Sequence, residues 1–187
     1  MSGQGTDAGY SGLARAFHWI TVVGLLWLFV SGFWIQTLDT ADPLKGTLRG
    51  LHRSTGLTLC VLTVFRVLYR IQNQPPPLPA GTPHWQAEIA RTIQWVFYAM
   101  LIFMPLVGWG YANTLGATVH FWWLINLPAL AETATTDKNT LLLLDWAHEY
   151  GAYLFMGLAG LHVLGALYHG LVKRDGVFSA MVFGGRP

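Results

Sequence analysis

His148 and His162 bracket the stretch "HEYGAYLFMGLAGLH", and the thirteen residues between them are mostly apolar or small. Fourteen residues turn a helix through roughly 1400°, within about 40° of four whole turns, and advance it about 21 Å. The two imidazoles therefore share one helical face. Neutral imidazole is the commonest metal ligand in proteins, so the spacing raises the question of what else stands at each of the two levels. Two further histidines begin apolar stretches of their own: His18 in "HWITVVGLLWLFVSGFWIQT" and His52 in "LHRSTGLTLCVLTVFRVLYRI".

The elements that carry them are membrane helices by composition and length. Hydrophobic residues make up 53% of the 187 and charged residues 11%, where a soluble domain holds about a quarter charged. Four apolar segments, roughly 18–37, 51–71, 92–113 and 145–172, reach the ~20 residues a bilayer span needs. The first is too long and wrongly flanked for a cleaved signal peptide. Trp19, Trp34, Trp85, Trp95, Trp109 and Trp146 fall near segment ends, as an aromatic belt does. The expected fold is all-α: an integral membrane four-helix bundle over residues 15–180, preceded by a disordered Gly/Ser-rich segment 1–14. Residues 39–50 read as a short loop, the proline-rich "QNQPPPLPAGTPH" as an extended connection, and "HFWWLINLPAL" as a piece lying in the membrane interface. The net charge of +2 and the lack of any basic block exclude a nucleic-acid partner. A single cysteine, Cys60, excludes an internal disulfide, a four-cysteine cluster site and covalent c-type haem attachment.

Topology then sorts the histidines by depth. Four spans put both termini on one side with Arg15, Arg66, Arg70, Arg91, Lys173, Arg174 and Arg186; the other side holds Lys45, Arg49, Arg53 and Lys138. The positive-inside bias places both termini in the cytoplasm. His18 opens the first helix at the inner level, which His162 shares; His52 and His148 open the second and fourth helices at the outer level. Two imidazoles facing each other across a bundle core, without thiolate or carboxylate, suit an iron held axially in a haem plane, whereas zinc wants four ligands. Gly32, Gly151 and Gly165 stand at the histidine levels, either to admit a flat macrocycle or to pack helices closely.

The segments "RAFHWIT", "LHRSTGLTLCVLTVFRVLYR", "WVFYAMLIFMPLVGWG" and "WAHEYGAYLFMGLAGLHVLGALYHGLVKRD" resemble the four helices of the prokaryotic cytochrome b561 family, over about residues 12 to 180. The resemblance implies two haem b groups with His18, His52, His148 and His162 as iron ligands, the same pairs that depth gives. It also implies a bacterial inner-membrane protein exchanging electrons with a quinone, ubiquinone in the superoxide oxidase-like branch, with superoxide or a redox partner protein as the outer donor. His169, seven residues past His162, matches a position implicated near the quinone pocket and is the catalytic candidate. Arg66, fourteen residues after His52, stands at the inner level, to pair with a haem propionate or to reach the headgroups; Arg53, with Arg49, is similarly placed at the outer level. Two other readings remain: a haem b anchor subunit passing electrons from a partner dehydrogenase to quinone, and a haem-free membrane protein with a histidine proton or metal pathway. An outer side with more acidic than basic residues weakens the attraction for an anionic donor.

Overall fold

The computed structural model describes residues 9–79, 81–130 and 137–184. Its architecture is four long helices: α1 (Gly12–Thr37), α2 (Pro43–Gln72), α3 (His84–Thr114) and α4 (Lys138–Leu167), the last continued by a π-helical turn, Tyr168–Lys173. All four are long and apolar enough to cross a bilayer. Their outward faces are apolar and exposed, for example Val23, Phe65, Phe103 and Leu161. In water such faces would be costly; against lipid tails they are at home. The chain is a multi-pass membrane protein. A short helix α5 (Val177–Val182) follows the fourth span, and β1 (His120–Phe121) pairs antiparallel with β2 (Ile125–Asn126) between α3 and α4.

The helices start earlier than the apolar segments do. α1 begins at Gly12, within the segment expected to be disordered, because the Ser11 hydroxyl accepts the Ala14 amide as an N-cap; residues 1–8 lie outside the described residues. The expected loop 39–50 is mostly helix. Asp42 caps α2 by accepting the Leu44 amide at 2.8 Å, and Pro43 brings a preset φ to the first helical position. Asp137 does the same for α4 at the Thr140 amide, 2.8 Å; that bond holds its carboxyl below the usual range. His18, His52 and His148 are consequently well inside their helices and do not open them, which fixes their side-chain directions more firmly than a fraying end would.

α1 packs on α2, α2 on α3 and α3 on α4, while α1 and α4 approach less closely. The buried centre is Leu59, Leu101 and Phe155, with Leu25, Leu28, Phe29, Leu62, Phe97, Met100 and Met104 around it. Phe155 is midway between His148 and His162, so this apolar plug separates the two histidine levels. Pro105 lies inside α3, which stays helical through it.

The segment expected to lie flat in the interface is a hairpin. Its turn forces Trp122 and Trp123 to φ of 50° and 58°, unusual for bulky residues. Ser54 and Thr58 of α2 hold it: the Ser54 hydroxyl accepts the Trp122 amide at 2.9 Å, and the Trp122 indole donates to Thr58 Oγ1 at 3.0 Å. Gly50 completes the seat, since a Cβ there would stand 2.6 Å from the Trp123 ring.

Candidate functional site

The four helices bring the predicted histidines together as two pairs. The His18 and His162 ring centroids are 6.4 Å apart with their planes at 63°. Those of His52 and His148 are 6.2 Å apart with planes at 70°. Among the described residues there is no group of three or more His, Cys, Asp or Glu able to hold a metal ion. Each level therefore offers two imidazoles facing across a gap, with no metal-holding cluster of carboxylates or thiolates beside them among the described residues.

Around His52 and His148, the level expected to be the outer one, the surroundings form a mostly apolar cavity of about 410 Å³ between the helices, lined in part by Phe33, His52, Gly108 and His148. Lys45, Arg49, Arg53, Asp145 and Glu149 stand at its polar margin. Glycine is required at one point of this cavity, Gly108. A Cβ on Gly108 would stand 2.8 Å from His148 Cε1, so only glycine lets that ring lie against α3. At Gly32 a Cβ would meet only His52 Cε1, at 3.6 Å. Gly151 faces Met104 of α3, with 2.6 Å from a Cβ to its sulfur, and so serves close helix packing, while Gly165 meets nothing within 4 Å. Trp109, expected in the aromatic belt, turns inward to this cavity; its indole N–H and His148 Nδ1 are buried without a hydrogen-bond partner. Trp19, Trp34, Trp85, Trp95 and Trp146 are exposed, as a belt requires.

His52 is held by a residue that spacing arguments pass over. Ser31 is fully buried, and its Oγ is 2.8 Å from His52 Nδ1 and 3.2 Å from the Leu28 carbonyl oxygen. A serine in a membrane helix ordinarily bonds its own backbone, so sequence carries no sign of the second contact.

At the inner level Arg66 lies 3.3 Å from His18 Nδ1 and 5.5 Å from the Tyr98 ring centroid. It lines a cavity of about 370 Å³ with Arg70, Tyr69, Asn73, Gln94 and Tyr98. Phe97 sets its ring edge-on to His162 at 5.5 Å and stacks on Phe155 at 5.7 Å. His169 is apart from the pairs, in the π-helical turn, where its Nδ1 is 2.6 Å from Asp175 Oδ2. The backbone reverses there through left-handed Arg174 and Gly176. Partial burial alone would raise the Asp175 carboxyl, but the bonds from His169 and from the Val177 amide outweigh it and hold it below the usual range. His120 bonds Asn126 across the hairpin, and Cys60 packs against the Ile102 carbonyl; neither joins the site.

Comparison with known proteins identifies the family. The family model described as prokaryotic cytochrome b561 matches residues 9–184. "Cytochrome b561 homolog 2" of Escherichia coli (strain K12) is 27% identical over 97% of this chain and 95% of its own length. "Probable superoxide oxidase CybB" of Yersinia pestis is 26% identical over 92% of this chain and 95% of its own. "Cytochrome b561 homolog 1" of Escherichia coli (strain K12) is 21% identical over 88% and 92%. Four apolar helices, paired imidazoles at two depths and a family match over nearly the whole chain lead to one conclusion: this protein belongs to the prokaryotic cytochrome b561 family of membrane-embedded haem b electron-transfer proteins.

Proposed function

We propose that the chain binds two haem b groups, one between His18 and His162 and one between His52 and His148, and conducts electrons from a donor on the outer side to a quinone on the inner side. The ring spacing within each pair carries the reading. Two imidazoles bound on opposite sides of one metal at about 2 Å have centroids about 6.4 Å apart; the pairs measure 6.4 Å and 6.2 Å. The partnerless Trp109 indole and His148 Nδ1 are polar atoms of the kind a bound group or an adjustment of the ring satisfies.

When bound, haem supplies one-electron acceptance and donation. The chain's own residues do the rest. The apolar cavity walls exclude water from the outer level, and Phe155 and Phe97 fill the space between levels with packed aromatic rings. Arg53 and Arg49 at the outer margin and Arg66 at the inner level are placed to meet propionate carboxylates. A guanidinium can only donate, so beside Arg66 the proton of His18 is on Nε2. Metal binding at Nε2 needs the other tautomer, and Arg66 then donates to a different acceptor, for which a propionate is the chemical match.

His169 is the quinone-side residue in this reading. Asp175 accepts its Nδ1–H, which leaves Nε2 free to accept or pass on a proton at a quinone carbonyl. Superoxide as the donor is supported by the likeness to the protein named probable superoxide oxidase, and ubiquinone as the acceptor by the resemblance to the superoxide oxidase-like branch; a redox partner protein is the alternative donor. The membrane is the bacterial inner membrane, with both termini cytoplasmic.

Haem extraction should yield two haems per chain. Stopped-flow mixing of the oxidised protein with superoxide, and separately of the reduced protein with ubiquinone, tests donor and acceptor. One haem per chain refutes the paired sites. Reduction by quinol but not by superoxide favours the anchor-type reading.

A further inference from the structure

The two histidine pairs are built differently on the side away from the proposed iron, and this difference gives the electron path a direction. At the outer level Ser31 Oγ lies 2.8 Å from His52 Nδ1. The same hydroxyl has the Leu28 carbonyl at 3.2 Å for its own single proton. Donation to Leu28 leaves Ser31 as an acceptor for Nδ1–H, so every polar atom in the chain Leu28–Ser31–His52 is satisfied with the His52 Nε2 lone pair facing the bundle core. An acceptor on the outer nitrogen fixes the tautomer of a ligating imidazole and raises its basicity. A more basic ligand stabilises the more positive metal ion, that is, the oxidised one.

The inner level is the reverse. The group beside His18 Nδ1 is the Arg66 guanidinium, at 3.3 Å, a donor and a full positive charge. Arg70 lines the same cavity as Arg66, and no carboxylate does among the described residues. At the outer margin the cations Lys45, Arg49 and Arg53 are accompanied by Asp145 and Glu149. With haem bound, Arg66 would neutralise the propionate it meets and Arg70 would add a second positive charge, which together resist a further positive charge on the metal and so favour the reduced form.

We propose that Ser31 is a positioning residue that fixes the tautomer of His52 and lowers the reduction potential of the outer haem, while Arg66 raises that of the inner haem, so that electrons run downhill from outside to inside. The inference rests on the two-haem reading above and adds to it the order of the potentials.

Redox titration of the intact membrane protein, with the outer component first identified by its loss in His148→Ala, tests the idea. The outer component should titrate below the inner one. Ser31→Ala should move the outer midpoint upward and leave the inner unmoved, each tenfold loss of preference for oxidised iron being a 59 mV rise. Ser31→Cys, with a weaker acceptor of similar size, should move it the same way by less, and serves if the alanine variant does not retain the outer haem. Ser31→Thr keeps the acceptor oxygen and should restore the parent midpoint where the methyl is accommodated. Arg66→Gln should lower the inner midpoint alone. A side chain that merely fills space would change haem content without a directed shift. An outer midpoint that stays fixed or falls in both Ser31→Ala and Ser31→Cys overturns the assignment, as does an outer component that titrates above the inner one. A parent with a single haem, or pairs that do not follow the histidine variants, refutes the underlying reading instead.

Discussion

His52 and His148 are expected to behave as one unit and His18 and His162 as another, because each haem in a two-ligand site loses its low-spin character when either imidazole goes. Optical redox titration of the four single alanine variants should therefore show only two phenotypes. Four different ones, or a phenotype shared across levels, would refute the pairing. The ring planes are far from parallel, at 63° and 70°. If an iron were held between rings kept in these planes, the two orbitals that interact with them would be nearly equal in energy. The oxidised protein should accordingly give strongly anisotropic low-spin electron paramagnetic resonance signals at both sites; signals of the parallel-ligand kind would contradict the geometry. At His169, Asp175→Asn removes the charged acceptor but keeps an oxygen for the Val177 amide. Both haem spectra should persist while quinone reduction slows. Because the Asp175 carboxyl is held below its usual range, its contribution is complete above the ordinary carboxylate value of about 3.9 and is lost only as pH falls through the lowered one. Stability measured between pH 5 and 8 should thus show no Asp175 titration, and a carboxyl titration there that disappears in Asp175→Asn would contradict this.

Helix backbones determine how near the rings can come to one another. Gly108 on α3 is the case that bears on a histidine pair, since a Cβ would overlap the His148 ring. Gly108→Ala must push that ring toward the core or force α3 and α4 apart, a misfit of the kind that costs about 1–3 kcal/mol. The expected outcome is loss or spectral shift of the outer component with the inner one intact, read from the reduced-minus-oxidised spectrum. An unchanged outer band would show that α3 has slack at this point. The hairpin offers a contrast. Gly50 seats Trp123 in the same steric manner, but on a side of α2 turned some 200° from His52. Gly50→Ala is expected to lower thermal stability and leave both haem spectra alone.

Orientation belongs to the molecule entire, because no single contact sets it. Seven basic residues against four favour the amino and carboxyl ends on the cytoplasmic side, although Arg186 lies outside the described residues. A green fluorescent protein fused after Pro187 should fluoresce, while an alkaline phosphatase in the α1–α2 connection should be active. The opposite result would exchange the inner and outer labels throughout and reverse the predicted flow of electrons. Neither α1 and α4 nor α2 and α4 pack as closely as the helices adjacent in sequence, and the histidine pairs bridge these two gaps, His18–His162 from α1 to α4 and His52–His148 from α2 to α4.

Composition and periodicity alone determined that the chain is a four-span membrane helical protein, and that His148 and His162 share a face about 21 Å apart. Both follow from local physics: transfer of apolar residues from water and the fixed rise of a helix. Depth alone also paired His18 with His162 and His52 with His148, since spans alternate direction. The starts of the helices were half-legible; Asp42-Pro43 and Asp137 are capping signals, but apolar content begins only later in each helix. The hairpin was hidden because its turn uses Trp122 and Trp123 in place of the glycine or asparagine that normally marks positive φ, and it is the hydroxyls of Ser54 and Thr58 on another helix that make this tolerable. Ser31 against His52, Arg66 against His18, and Trp109 turned inward were decided by tertiary structure alone. Each depends on the rotation of one helix against the next, and that rotation is set by the packing of Leu59, Leu101 and Phe155 in the centre, which no spacing along a single helix encodes.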